Sequence, residues 1–395
     1  MSTARNTEKD ILIISNYFPP ESGAAPNRIH TLATSLNKNN YNVTIVCPFP
    51  NYPFGKIFDT HKGKRLSKTI ENNLTIYRLW LFASNSKNKF ARLFSMLSFA
   101  THLFFFLLLK KTPEKVIIQC SPLFVGFFGV LISKLKRKKI ILNVSDLWPL
   151  AGLEMGLLTK GFYYSILEKI ELFNYRNSDL LLGQSQEILN HFKQKTPNKE
   201  SFLYRNYPDF DIKLIKENTN KEDLKIVYAG LLGIAQGVLN ICKELKLPDN
   251  VTFHIYGNGP EANQIIEYIK NKKNIIYHGS VKRTVLHKKL NTYDLTLIPL
   301  INRIYGSVPS KIFEYARLGL PILYFSDGEG NDLVKKLQLG LTINSLDYTG
   351  LNNSIFDLSN NKISLPKKKD ILKTAAIEFN LEKQFEAFIT KIDTL

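Results

Sequence analysis

Four stretches of the sequence hold side chains whose types and spacing could do chemistry. The first is Gly306–Gly319, GSVPSKIFEYARLG. Pro309 and Ser310 are residues that start helices. Lys311 then stands in the first turn, beside free backbone amides and at the positive end of the helix dipole. Glu314 follows one turn later on the same face. Such a helix can hold a diphosphate on Lys311 and the amides near Ser310, while Glu314 accepts hydrogen bonds from a ribose. The same residues also suit an ordinary capped helix whose Lys and Glu face water.

The second stretch, NYFPPESGAAPNRIH (Asn16–His30), follows an apolar run. Pro19 and Pro20 stiffen it, and Gly23, Ala24 and Ala25 leave no bulk before a helix that begins near Asn27. A small-residue loop between a strand and a helix suits a phosphate or sugar brought against backbone amides, and it equally suits a plain connection. The third, VSDLWP (Val144–Pro149), ends another apolar run; Asp146 beside Trp148 can hydrogen-bond a hydroxyl, act as a base, or simply cap a helix. The fourth, GNGPEA (Gly257–Ala262), imitates a dinucleotide fingerprint. The next apolar run, NIIYHGSV, ends without the ribose-binding acid, and the first βα unit has no such fingerprint, so dinucleotide binding is set aside.

These stretches hang on a repeating pattern. Short continuous apolar runs alternate with helix-length segments: KDILIISNY (Lys9–Tyr17), YNVTIVCPF (Tyr41–Phe49), KVIIQCS (Lys115–Ser121), KIILNVSD (Lys139–Asp146) and DLLLGQS (Asp179–Ser185). Continuous rather than alternating runs mark strands covered on both faces, as in a parallel α/β sheet. Pro208–Asp223 breaks the pattern, and the alternation restarts at LKIVYAG (Leu224–Gly230) and continues to PILYFSD (Pro321–Asp327). The arrays predict two doubly wound, Rossmann-like domains facing a cleft, over residues 1–207 and 208–378. Residues 379–395 form a closing amphipathic helix, with Phe385, Phe388, Ile389 and Ile392 on one stripe, that returns to the first domain.

The chain of 395 residues carries 53 Lys+Arg against 34 Asp+Glu, a net charge of +19 that calls for an anionic partner. No zinc finger, RNA-recognition motif or basic zipper is evident, which argues against nucleic acid. Three scattered cysteines suit neither a disulfide framework nor a zinc site, and point to a reducing compartment. No secretory signal opens the sequence. The run Leu93–Leu109, LFSMLSFATHLFFFLLL, is shorter than the about 20 residues of a spanning helix and is interrupted by Ser95, Ser98, Thr101 and His102. It reads as a helix that is buried or lies in a membrane surface. Lys89, Arg92, Lys110, Lys111 and the run KLKRKK (Lys134–Lys139) surround it, as in an interfacial anchor on anionic lipid, or as a solvated face.

The chain resembles family 4 glycosyltransferases of the GT-B fold over nearly its whole length. The resemblance is most specific in the Asn16–His30 loop and the PNYP tract (Pro50–Pro53), in DLWP (Asp146–Pro149), in LGIAQG (Leu232–Gly237) and in VPSKIFEYARLGLPIL. The branch it is most similar to assembles bacterial O-antigen and capsule units and includes transferases of N-acetylfucosamine. The resemblance implies a retaining hexosyltransferase that moves a sugar, an N-acetylated amino sugar in this branch, from a UDP-sugar to a lipid-linked saccharide. It implies no required metal or other cofactor, and a cytoplasmic enzyme peripheral on the inner face of the cytoplasmic membrane. It gives the donor to the C-terminal domain, with Glu314 on the ribose, Ser310 and Lys311 on the diphosphate, Gly233 and Gln236 near the diphosphate, and Val281 and Arg283 near the base. It gives the acceptor to the N-terminal domain, where Gly23 closes over the phosphates and Asn27, Arg28, Asp146 and Trp148 are the expected contacts. Asp146, Lys311 and Glu314 are the expected catalytic set.

Two departures stand out. Where many members carry the first of two glutamates eight residues apart, this sequence has Gly306, and the loop AGLLGIAQG lacks their Arg and Lys. The remaining readings on the same fold are an epimerase that cleaves UDP-sugar without an acceptor, and a non-catalytic glycan- or lipid-binding protein.

Overall fold

The computed structural model describes residues 9–21, 23–52, 54–84, 89–210 and 223–395. Met1–Glu8, Pro53 of the PNYP tract, most of the Pro208–Asp223 stretch, and the Lys89 and Arg92 side chains lie outside that description. Two compact units are present: Met1–Arg205 with Phe385–Leu395, and Asn206–Gln384.

The N-terminal unit runs β1 (Asp10–Ile14), α1 (Ala24–Lys38), β2 (Asn42–Pro48), β3 (Leu66–Glu71), β4 (Leu74–Leu79), α2 (Lys89–Leu109), β5 (Lys115–Gln119), α3 (Leu123–Leu135), β6 (Lys139–Val144), α4 (Leu150–Glu154), α5 (Phe162–Arg176), β7 (Leu180–Gly183), α6 (Gln186–Lys195) and β8 (Ser201–Leu203). Its sheet order is β3-β4-β2-β1-β5-β6-β7-β8, and every neighbouring pair is parallel except β3 with β4. That hairpin is not announced by any continuous apolar run, because its edge strand leaves Leu66 and Ile70 exposed. Asn72 and Asn73, at φ 49° and 64°, make its two-residue turn, the backbone that Asn tolerates best after Gly. Alternate residues of β1 and β5 face opposite layers. Ile13 and Ile117 pack with Ile29, Leu32 and Leu36 of α1, while Gly129 of α3 rests on Ile118. α1 starts at Ala24, one turn before the position expected near Asn27.

The second unit runs β9 (Leu224–Ala229), α7 (Val238–Glu244), β10 (Val251–Tyr256), α8 (Ala262–Ile269), β11 (Ile275–Gly279), α9 (Arg283–Leu290), β12 (Leu295–Pro299), α10 (Lys311–Arg317), β13 (Ile322–Phe325), α11 (Glu329–Lys336), β14 (Gly340–Ile343), α12 (Tyr348–Ser359) and α13 (Lys368–Glu378). All six strands are parallel, in the order β11-β10-β9-β12-β13-β14. A last helix, α14 (Leu381–Asp393), packs Phe385, Phe388 and Ile392 into the apolar cluster of the N-terminal unit. In each sheet the first strand sits between strands reached in opposite directions, β1 between β2 and β5, and β9 between β10 and β12. Such a switch point opens a crevice at the carboxyl ends of the strands, where doubly wound sheets bind ligands.

Candidate active site

In the second unit the switch-point crevice is built from the loop after β9 and the start of α10. The hydroxyl of Tyr315 donates to Ala229 O at 3.0 Å, so α10 is pinned to the end of β9. Lys311, first residue of that helix, lays its ammonium 4.7 Å from the centre of the Tyr228 ring. The Tyr228 hydroxyl donates to Leu231 O at 2.5 Å and holds the loop in place. A Cβ at Gly230 would fall 1.8 Å from Lys311 Nζ, so the ammonium occupies the space that a side chain there would take. Burial pushes the lysine down to about 8, against the opposing charge of Glu314. Among the described residues no carboxylate forms an ion pair with it, so the loop presents a poorly solvated cation at the strand ends. Ser310 lies at the helix edge, but its side chain makes no capping bond.

Glu314 is held from α9. Its Oε1 accepts from Arg283 Nε at 2.9 Å and from His287 Nε2 at 2.6 Å. Burial raises its carboxyl, but the His287 bond and the Arg283 charge outweigh that and hold it below the ordinary range. It is therefore an oriented carboxylate with both bonds on one oxygen. Arg283 points to this carboxylate, and Val281 is part-buried against the cluster that contains Ile312 and Phe313. Gly233 and Gln236 lie further along the loop after β9, where the Gln236 amide donates to Gly233 O at 3.1 Å. The buried Gln236 Oε1 has no hydrogen-bond partner among the described residues. His287, Tyr228 and Tyr315 were not legible as site residues. The His287–Arg283 spacing of four was the available signal, since it puts both on one helix face.

The GNGPEA glycines prove to be packing residues. A Cβ at Gly257 would lie 1.8 Å from Gly230 O, and one at Gly259 would lie 2.4 Å from Leu232 O. They let the loop after β10 press onto the loop after β9. Gly306 is buried at φ +86°, a left-handed conformation in which a glutamate would be strained.

In the N-terminal unit the strand ends at the switch point carry a polar cluster. Buried Arg28 of α1 donates from Nη2 to Ser145 Oγ at 2.6 Å, and Gln119 Nε2 reaches the same oxygen at 2.5 Å. The Ser121 hydroxyl lies 3.4 Å from Asp146 Oδ2, a long contact. Desolvation of its carboxyl group raises Asp146, against the charge of Arg28 and the bond from Ser121, although the residue as a whole is exposed. Burial lowers Arg28 to about 10, with Asp146 opposing. Arg28 Nε, Gln119 Oε1 and both amide atoms of Asn143 are buried with no hydrogen-bond partner among the described residues. Trp148 is part-buried and packs on Gly152, where a Cβ would come within 2.6 Å of its ring. Gly23, at φ +141°, and Asn27 are exposed. The structure thus gathers Arg28, Asp146 and Ser145, while Asn27 faces out. Buried Glu21 accepts from the amides of Asn51 and Tyr52 at 2.8 and 2.9 Å, tying the proline loop to the PNYP tract.

Residues 224–361 match the family model described as Glycosyl transferases group 1. The whole chain superposes on solved structures that share its fold. The sucrose-phosphate synthase from Thermosynechococcus elongatus aligns with a TM-score of 0.72 at 11% identity, covering 97% of this chain and 98% of that one. The lipopolysaccharide outer core galactosyltransferase WaaB aligns at 0.63 and 16% identity, covering 97% and 99%. Anabaena HepE in complex with UDP-glucose aligns at 0.67 and 13% identity, covering 98% and 100%. The chain has the GT-B fold, and residues 224–361 carry a glycosyltransferase group 1 domain. A comparison with curated protein sequences found no match.

The matched segment 224–361 contains the whole Lys311–Glu314–Arg283–His287 arrangement. No group of three or more His, Cys, Asp or Glu able to hold a metal ion occurs among the described residues.

Proposed function

We propose that this protein is a glycosyltransferase that transfers a sugar from a UDP-sugar to a lipid-linked saccharide, with retention of configuration, in O-antigen or capsule assembly at the inner face of the cytoplasmic membrane. The observation that carries the donor half is the poorly solvated Lys311 ammonium beside Gly230 at the switch point. A diphosphate accepts charge-assisted bonds there, and its departure with the negative charge is the step Lys311 stabilises. Glu314, aligned by Arg283 and His287, takes the ribose hydroxyls. HepE, a fold relative with UDP-glucose bound, supports a uridine nucleotide as donor. The motif resemblance supports an N-acetylated amino sugar. In this reading Lys311 meets part of the charge on the diphosphate, and no metal ion is invoked.

On the acceptor side, Asp146 receives the attacking hydroxyl's proton or orients that hydroxyl, with buried Arg28 stabilising its charged form. Trp148 offers its part-open face to the sugar. The lipopolysaccharide transferase WaaB is a fold relative that supports a saccharide of this kind. The test is incubation of the purified protein with a panel of UDP-sugars and polyprenyl-diphosphate saccharides, read by mass spectrometry. Transfer of one sugar with release of UDP is the expected result. A preparation that binds no UDP and consumes no UDP-sugar, with or without acceptor, would sink the proposal.

A further inference from the structure

Helix α3 is apolar on every side: LFVGFFGVLISKL carries one charge, Lys134, in its last turn. A helix of that composition is normally covered all round. Here the sheet covers one side, with Val125, Val130 and Ile132 buried. The other side leaves Phe124, Phe127, Phe128 and Leu131 partly open. α2 packs along one flank and α5 along the other, and both extend the apolar field. Phe94, Phe105 and Leu108 of α2 are 57%, 54% and 47% exposed, and Phe162 of α5 is 85% exposed, beside Tyr163 and Ile166. Ring contacts run across all three helices. Phe105, Phe104, Phe128, Phe127 and Phe173 follow one another at 5.3, 5.7, 5.3 and 5.2 Å between centroids. Isolated exposed apolar residues are ordinary, but a contiguous field of them marks an interaction surface.

The charge around this field selects its occupant. Between Ala83 and Ser145 the sequence has eleven Lys and Arg and one acid, Glu114, which is more than half of the chain's net +19. Lys110 and Lys111 follow α2, and Lys136, Arg137 and Lys138 follow α3. The two ends are tied together, since Lys136 Nζ donates to Lys110 O and Lys138 Nζ to Thr112 O, both at 2.9 Å. A second copy of this chain would bring the same positive rim against itself, whereas an anionic bilayer is complementary to it. No helix among the described residues is long and apolar enough to cross a membrane, so the mode is docking on the surface.

We infer that the outer face of α2, α3 and α5 docks the chain on an anionic lipid bilayer, with the aromatic field sunk among the acyl chains and the α2 and α3 ends on the headgroups. The inference deepens the proposed lipid-linked acceptor by naming the face that meets the lipid. Its evidence is the surface itself, and α5 enters only through the tertiary packing.

The test is flotation of the full chain with vesicles of phosphatidylcholine alone, or of phosphatidylcholine with phosphatidylglycerol. Recovery is expected with the anionic vesicles at about 0.1 M salt and is expected to fall at about 1 M, where the Debye length shrinks from about 10 to about 3 Å. The triple variant Lys136→Gln, Arg137→Gln, Lys138→Gln should weaken binding by about a hundredfold. Phe105→Ser with Leu108→Ser, and separately Phe162→Ser with Ile166→Ser, should each abolish flotation while the circular dichroism spectrum stays that of a folded protein, because none of these side chains is fully buried. Flotation lost with the α2 pair but intact with the α5 pair overturns the three-helix face. Equal recovery with neutral vesicles overturns the requirement for anionic lipid, and no recovery with either overturns the bilayer. A dimer in sedimentation velocity that Phe105→Ser dissociates, without flotation, assigns the face to a second copy and overturns it too. UDP-sugar hydrolysis in the same preparations reads the donor site separately, so failure of one proposal is distinguishable from failure of the other.

Discussion

Replacing Lys311 by methionine should make the protein more stable and its donor binding weaker at the same time. Burial moves this lysine from 10.5 to about 8. That difference is a penalty on its charged form of about 3 kcal/mol at most. The ammonium recovers about 0.5–1 kcal/mol from the face of Tyr228, and solvent reaching the part-buried side chain screens more. A methionine of similar length is therefore expected to add about 1–2 kcal/mol of stability, or roughly 2–8 °C in the midpoint of a unit this size. Charge-assisted bonds to the donor diphosphate are worth about 1.5–3 kcal/mol, so UDP affinity should fall by about tenfold to a hundredfold. The pH dependence separates this from a generic packing effect. Below pH 8 the folded protein bears the whole penalty. As pH rises from about 8 to 10.5 the folded lysine loses its proton before the unfolded one does, and the stability advantage of the variant shrinks. Over the same range wild-type donor affinity should fall by up to about tenfold per pH unit, while the variant stays flat. Thermal shift and calorimetric titration with UDP across this pH range read both effects. A Lys311→Met protein with lower stability and unchanged UDP affinity would refute the argument.

Glu314→Gln should fold normally and bind UDP about tenfold or more weaker, because the amide loses the charge that Arg283 and His287 align. Removing the 2′-hydroxyl from the donor should then cost wild type affinity but leave the variant nearly indifferent, which calorimetry reads directly. Asp146→Asn should leave UDP binding intact and slow transfer by about a hundredfold or more, measured by acceptor turnover at saturating donor. Gly306→Glu should not restore a family-like site; at φ +86° the side chain strains the backbone by about 1–2 kcal/mol, so a lowered thermal midpoint is expected. His254 is pushed down to about 4 by burial and by His278, whose Nε2 lies 2.9 Å from its Nδ1. The unfolded chain takes up a proton near 6.5 that the folded chain refuses. Stability is therefore complete above pH 6.5 and lost as pH falls towards 4, and His254→Asn should flatten that loss in a pH series of thermal midpoints.

Local composition settled a good deal of this protein. Ile11–Ile14, Lys139–Val144 and Leu224–Ala229 are strands because continuous apolar runs bounded by polar turns can only be buried on both faces, and that alone implies parallel sheets with helices on either side. Lys311 and Glu314 were legible for the same local reason, one helical turn apart behind a Pro-Ser start. What sequence could not carry was everything that depends on which strands become neighbours. The edge hairpin of β3 and β4 hides its register in alternation on an open edge. His287 and Arg283 meet Glu314 from about 30 residues away in sequence, a contact between α9 and α10 that depends on the tertiary arrangement in which β12, between them in the chain, pairs with β9. The low proton affinity of Lys311 arises from burial against the loop after β9, where Gly230, about 80 residues distant, leaves the space that the ammonium fills. The aromatic run of α2 reads equally as core or as surface until packing divides it, burying Phe99, Leu103 and Leu107 and leaving Phe105, Leu108 and Leu109 outside. Apolar periodicity is a property of a segment, and so it survives in one dimension. Burial, desolvation and hydrogen-bond partnership are properties of a neighbourhood, and only the folded chain supplies the neighbours.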